Sequence, residues 1–174
     1  MLADKQEELF EQWFEEHKGL ILKVIRANAA EPEDQNDLFQ EIAFQIWRSI
    51  PAFQERSKVP TWIYRVALNT AMLWHRTQRK QRNRCQPLYE ASEISGPADD
   101  PSQSLETQEE LEWLYGEIRK LPRVDRSLAL LYLDSCSYKE IAEILGISIN
   151  LVGVKVNRIK EHLGRLAKGE SDES

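Results

Sequence analysis

Apolar residues recur at intervals of three and four along most of the chain and nowhere alternate over any length, so hydrophobic side chains can be buried as helix stripes but not as sheet faces. Leu9, Phe10, Trp13, Phe14, Leu20, Ile21, Val24 and Ile25 form the first rhythm, against Glu7, Glu8, Glu11, Glu15 and Glu16. Glu31-Pro32-Glu33-Asp34 interrupts it, and Asp34 or Asn36 is placed to cap a second helix over 37–49. Leu38, Ile42, Ile46 and Ile50 step by four along that helix until Pro51 stops it. After a loop over Ala52–Pro60, a third helix runs from Thr61 to about Arg82, apolar in its first half and polar in its second. Pro60 is expected to hold Val59 extended ahead of that helix. Leu105, Leu111, Leu114, Ile118 and Leu121 mark another helix, ended by Pro122; Asp125 to Leu133 is the next, and the remainder to Ala167 forms a tight helical pair. The pattern predicts an all-α protein of two small helical domains, residues 1–86 and 108–174. They are joined by a flexible, acidic, Ser/Pro/Gly-containing linker over 87–107.

Several function classes are disfavoured by what the residues lack. No window approaches the eighteen or so apolar residues of a membrane span, and the acidic N-terminus lacks the basic-then-apolar order of a secretory signal, so a cytoplasmic protein is expected. Cys85 and Cys136 are too few for a disulfide framework. His17, His75 and His162 are scattered over different helices, no Gly-rich phosphate loop occurs, and no Cys/His set has metal-ligand spacing. The expectation is a protein that is not an enzyme, with no cofactor, no metal and no small-molecule substrate.

A net charge of −6 argues at first against nucleic acid, but its distribution reverses that. Residues 1–42 carry −7, 43–86 carry +8, 87–117 carry −9, 118–168 carry +5 and 169–174 carry −3. Attraction to phosphate depends on the field within a Debye length of about 8–10 Å, so two basic blocks can act while the whole chain is acidic.

The second basic block contains Tyr138-Lys139-Glu140-Ile141-Ala142-Glu143-Ile144-Leu145-Gly146-Ile147-Ser148-Ile149-Asn150-Leu151-Val152. A short helix ends at Gly146, where a positive φ is cheap, and Ser148 is set to cap a longer helix. Val152, Val156, Ile159, Leu163 and Leu166 give that helix one buried stripe, with Asn150, Lys155, Asn157, Arg158 and Lys160 on the other faces. This is the pattern of a helix-turn-helix whose second helix enters a major groove; the same residues also suit a helical hairpin with a solvated basic face. In the first block, Trp62 and Tyr64 open a helix that continues to Arg76, Arg79, Lys80, Arg82 and Arg84, with no acidic residue between Glu55 and Glu90. Aromatic rings beside cations suit unstacked bases. Core packing of Trp62 and Trp74 with a solvated Arg run is the alternative.

Three ordered motifs resemble the small extracytoplasmic-function (ECF) type of bacterial RNA polymerase sigma factor, in the sigma-70 family. Asp37-Leu38-Phe39-Gln40-Glu41 with Trp47 is similar to the family's core-binding helix. Phe53, then Thr61-Trp62-Ile63-Tyr64-Arg65-Val66-Ala67-Leu68-Asn69, resembles its promoter-melting segment. Leu121-Pro122-Arg123 leading into Tyr138–Lys160 resembles its second DNA-binding domain. The resemblance implies that Asp37, Gln40 and Glu41, which share one helix face, meet core RNA polymerase. It implies that Phe53, Trp62, Arg65, Val66, Asn69 and Arg76 serve the −10 element, with a flipped base received by the loop Phe53–Pro60. It assigns Ser148, Asn150, Lys155, Asn157 and Arg158 to the −35 element, and an anti-sigma factor as a further partner beside polymerase and promoter DNA. The chain departs from the common pattern at Leu151, Gly153 and Val154, where the family often has Thr, a basic residue and a small polar one. Gly153 either lets the helix approach the DNA backbone closely or weakens the helix. The competing function is a helix-turn-helix regulator whose N-terminal domain dimerises or senses a ligand, and the 37–69 motifs have no reason to be there in such a protein.

Overall fold

The computed structural model describes residues 2–81 and 105–169. They form helices α1 (Leu2–Glu16), α2 (Lys18–Asn28), α3 (Pro32–Ser49), α4 (Val59–Gln81), α5 (Leu105–Lys120), α6 (Arg123–Leu133), α7 (Tyr138–Leu145) and α8 (Ile149–Ala167), with a single 3₁₀ turn over Ile50–Ala52. No strand occurs among the described residues. Of the linker expected over 87–107, residues 105–107 open α5, and the rest lies outside the described residues, as do Arg82, Arg84 and Cys85.

Three element boundaries differ from the periodic reading. The rhythm from Leu9 to Ile25 is divided at His17, whose backbone leaves helical values (φ −116°, ψ 15°) although the Ile21 amide still donates to the His17 carbonyl at 3.2 Å. Helix α3 starts at Pro32, five residues early, with Glu31 at the cap position and no side-chain cap, so neither Asp34 nor Asn36 caps it. Proline is tolerated there because the first turn needs no amide donor. The same physics places Val59 and Pro60 in the first turn of α4 instead of an extended lead-in, with the Trp62 amide donating to the Lys58 carbonyl at 3.1 Å.

Two bundles result. In the first, α3 and α4 pack along each other with α2 against both, burying Ile21, Val24, Leu38, Ile42, Ile46, Ile63, Ala67 and Leu68. In the second, α6, α7 and α8 pack mutually around Leu128, Leu131, Ile141, Val152 and Val156. Each fully buried Leu, Ile or Val contributes roughly 1.5–3 kcal/mol, which makes these stripes the main source of stability.

The bundles also pack on one another, through α2 against α5 and α6 and through α4 against α7. The seam is polar. Asp134, at the end of α6, accepts from the Tyr64 hydroxyl of α4 and the Lys23 ammonium of α2. Burial, and then the Asp134 carboxylate, push the Tyr64 phenol far up, so it remains a donor at every accessible pH. The half-buried Arg126 guanidinium donates to Asn28 Oδ1 (3.1 Å), to the Arg119 and Leu121 carbonyls (2.6 and 3.3 Å), and to His75 Nε2 (3.3 Å). Arg119 in turn donates to the Arg26 carbonyl at 2.8 Å.

Because Arg126 can only donate, His75 Nε2 must accept, which requires a neutral imidazole. Burial first, then Arg126 and Arg123 of α6, push the His75 pKa below its ordinary range, opposed by Asp34 and by a backbone bond with Asn28. The unfolded chain therefore takes up this proton before the folded one. Stability from neutral His75 is complete above about pH 6.5 and is lost as pH falls below it. Thermal melts should show the wild-type Tm falling more steeply than that of His75→Gln between pH 7 and pH 5.5; parallel profiles would contradict this placement.

Gly153 does not face outward on α8. A Cβ built there meets the Tyr138 ring at 3.6 Å, an ordinary van der Waals contact. An interior helical Gly costs about 0.5–1 kcal/mol relative to Ala. Gly153→Ala should therefore stabilise the fold by about that amount, raising Tm by a few degrees; a lowered Tm would mean that the Tyr138 ring cannot accept the methyl group.

Candidate nucleic-acid interface

Three surfaces carry the residues singled out above. The first is a groove of about 730 Å³ between α3 and α4. Asp37, Gln40 and Glu41 line its α3 wall, beside Phe44; Val66, Asn69, Leu73 and Trp74 line its α4 wall. The spacing i, i+3, i+4 puts the three polar residues on one face, as expected. Asp37 and Gln40 are exposed, and Glu41 is half-buried and accepts from Gln45 Nε2 at 2.9 Å. Phe44, Trp47 and Leu73 are 52%, 45% and 58% exposed, an unusual display of large apolar surface around an acidic stripe.

The second surface begins with Phe53 and Trp62, which do not stand free. With Trp13 of α1 they form an aromatic triad, with ring centroids 5.2 Å (Trp13–Phe53), 5.8 Å (Trp13–Trp62) and 5.1 Å (Phe53–Trp62) apart. All three rings are half-buried, so they serve packing and present part of their surface outward. Beside them runs the loop 53–58, in which Glu55 holds a left-handed φ of 54° that non-glycine residues adopt at a cost. Glu55, Arg56, Ser57, Lys58 and Thr61 form one side of a depression of about 660 Å³, and Ser137, Lys139, Glu140 and Glu143 around α7 form the other. Further along α4, Asn69 and Arg76 are exposed and Val66 half-buried. Arg65 is engaged: its Nη2 donates to the Glu143 carbonyl at 3.2 Å and lies 3.8 Å from the Glu143 carboxylate.

The third surface is the outer face of α8. Gly146 takes φ 67° in the turn, and the Ser148 hydroxyl accepts from the Leu151 amide at 3.2 Å, capping the helix as the residue pattern predicts. Helix α7 is fixed by a reciprocal cap. The Ser137 hydroxyl accepts from the Glu140 amide at 3.2 Å, and the Glu140 carboxylate accepts from the Ser137 amide at 2.8 Å. Those bonds hold the Glu140 carboxyl below its usual range. Asn150, Asn157 and Arg158 are exposed on α8. Lys155 is half-buried, and its Nζ sits 2.5 Å from Asp125 Oδ1, so it ties α8 to α6. Leu151 and Val154, which the charge pattern alone passed over, are exposed on the same face as Asn150 and Arg158. Helical phase marks them: both fall off the Val152, Val156, Ile159 stripe. Among the described residues, no group of three His, Cys, Asp or Glu side chains is placed to hold a metal ion.

The chain matches the model of Sigma-70 region 2 over residues 13–81 and that of Sigma-70 region 4 over residues 111–163. It is 28% identical to RNA polymerase sigma factor YlaC of Bacillus subtilis, covering 98% of this chain and 96% of that one. It is 30% identical to the ECF RNA polymerase sigma-E factor of Escherichia coli K12, covering 74% of this chain and 71% of that one. Its fold is similar to that of CnrH, solved in complex with the cytosolic domain of CnrY (TM-score 0.67, 19% identity, 98% and 97% coverage). It is also similar to sigma factor RpoE of Bartonella quintana, solved with the anti-sigma factor NepR (TM-score 0.63, 21% identity, 91% and 98% coverage). With the two matched regions falling on the two bundles, one carrying the α3–α4 groove and the other the capped helix-turn-helix, the chain belongs to the ECF group of the sigma-70 family of RNA polymerase sigma factors.

Proposed function

We propose that this sigma factor, an initiation factor and not an enzyme, docks on core RNA polymerase through the α3 side of the α3–α4 groove and reads the promoter with its α4 side and with α8. The observation that carries the reading is the groove itself, where exposed Asp37 and Gln40 stand with the exposed apolar side chains of Phe44 and Leu73. An acidic stripe steers a basic partner helix, and the apolar side chains then give the contact its desolvated centre. On the −10 side, the outward part of the Phe53 and Trp62 rings offers a stacking surface, and Asn69 has both donor and acceptor groups for a base edge. Val66, Arg65 and Arg76 complete that path, Arg65 by exchanging Glu143 for a phosphate. On the −35 side, α8 enters the major groove, Asn150, Asn157 and Arg158 meet bases and phosphates, and Ser148 and Lys155 hold the helix in position through Leu151 and Asp125. The two bundles correspond to a region 2 domain over 1–86 and a region 4 domain over 108–174. The chain works in the cytoplasm, where polymerase and promoter DNA are. An anti-sigma factor is its regulatory partner, in keeping with the similar structure of RpoE solved with the anti-sigma factor NepR.

Asp37→Arg combined with Gln40→Arg should reduce binding to core RNA polymerase by about tenfold or more, since reversed charge now meets a basic partner. Both positions are exposed, so the helical circular dichroism signal and Tm should stay unchanged. Undiminished co-purification with core enzyme would remove these residues from the interface.

A further inference from the structure

The exposed face of α8 has an apolar centre. On a wheel of 3.6 residues per turn, Val154 points about 180° away from the midpoint of the buried Val152 and Val156 pair. Leu151 and Arg158 lie within about 60° of it on one side, and Asn150 and Asn157 within about 60° on the other. Val154 is 47% exposed and Leu151 40% exposed. Both belong to the first two turns after the Ser148 cap, the part of a recognition helix that lies deepest in the groove. The long cationic side chains both lie on the Leu151 side: Arg158 one turn further on, and Lys155 about 100° round the helix and drawn back to Asp125.

Chemistry narrows what such a centre can meet. Along the major-groove edge every base presents hydrogen-bonding groups, and only thymine adds an apolar one, its C5-methyl. A valine pressed on a guanine or cytosine edge strips water from an acceptor or amino group and returns no hydrogen bond. Pressed on a thymine methyl, it removes two apolar surfaces from water at once. We propose that Val154, with Leu151 beside it, reads thymine C5-methyl groups in the −35 element and so sets this factor's promoter preference at those base pairs. The inference rests on the reading of α8 as the −35 helix, and it gives a role to two of the three positions at which the chain departs from its family's common pattern.

The test uses holoenzyme, assembled from core RNA polymerase and the full chain, to select from promoter DNA with a randomised −35 segment. Wild type should enrich thymine, on either strand, at one or two adjacent base pairs. Replacing the enriched thymine by deoxyuridine, which lacks only the methyl group, should weaken binding about fourfold, the worth of one buried methyl. In Val154→Ser that penalty should vanish while preferences at the flanking positions persist; Leu151→Ser does the same for the neighbouring pair, and unchanged melts confirm both folds. Thymine enrichment with no deoxyuridine penalty would overturn the inference, leaving recognition to carbonyl contacts or DNA shape. Unaltered selection by both variants would overturn it too, and would assign the apolar pair to a protein partner. Initiation with no base preference at all in the segment would instead defeat the reading of α8 on which the inference rests.

Discussion

The Asp134 carboxylate is the joint on which the arrangement of the two bundles turns. It receives the Tyr64 hydroxyl from one helix of the first bundle and the Lys23 ammonium from another, while standing at the end of α6 in the second. Each bundle is small and has a limited core, so a seam between them adds burial that neither can supply alone. A charged seam needs its groups paired, and Arg126 meets most of this demand: Nη1 and Nη2 reach four acceptors drawn from α2, α4, the end of α5 and Leu121 just beyond it, while its buried Nε has no partner. One consequence is local to α4 and the surface proposed to meet DNA. With α7 packed on α4, Glu143 covers Arg65, and a phosphate reaching that guanidinium displaces one exposed ion pair to form another, an exchange of small net energy.

The acidic total of the chain conceals how its charge is used. Asp37, Gln40 and Glu41 line the α3–α4 groove proposed as the polymerase contact, and the +8 and +5 blocks contain α4 and α8. Within the basic C-terminal block, however, some cations are held by the protein itself. Lys155 neutralises Asp125, and Arg126 builds the seam. What remains on the outer face of α8 is mixed: amides, Arg158, and an apolar pair at the centre. Phosphate contacts fix position and base contacts specify, so on the proposed reading of α8 its apolar centre narrows the base pairs it accepts beyond what its charge suggests.

Local features were legible in the residues and distant ones were not. Gly146 and Ser148 act as their pattern predicts, because a left-handed turn residue and an N-cap are satisfied by neighbours within three positions. The Leu38, Ile42, Ile46, Ile50 stripe is legible because its four-residue step marks one helix face, which α2 and α4 then bury. Helix starts were less legible: α3 and α4 both begin near a proline that reads as a breaker in sequence and serves as a first-turn residue in the fold. The seam had no sequence signal at all. Tyr64 and Asp134 are 70 residues apart, Lys23 and Asp134 are 111 apart, and nothing in either segment announces the other. Phe53 and Trp62 fell between these cases, since the spacing that suits a stacking platform is equally served by Trp13, which lies two helices earlier. Gly153 is ambiguous in sequence because the ring beside it, Tyr138, belongs to the preceding helix.

Transcription from purified components tests the central claim most directly. Core RNA polymerase freed of other sigma factors, supplied with this chain and a pool of genomic promoter fragments, should produce run-off transcripts with discrete start sites from a small subset of the pool. Absence of any specific transcript, with circular dichroism showing the chain folded, would contradict the account.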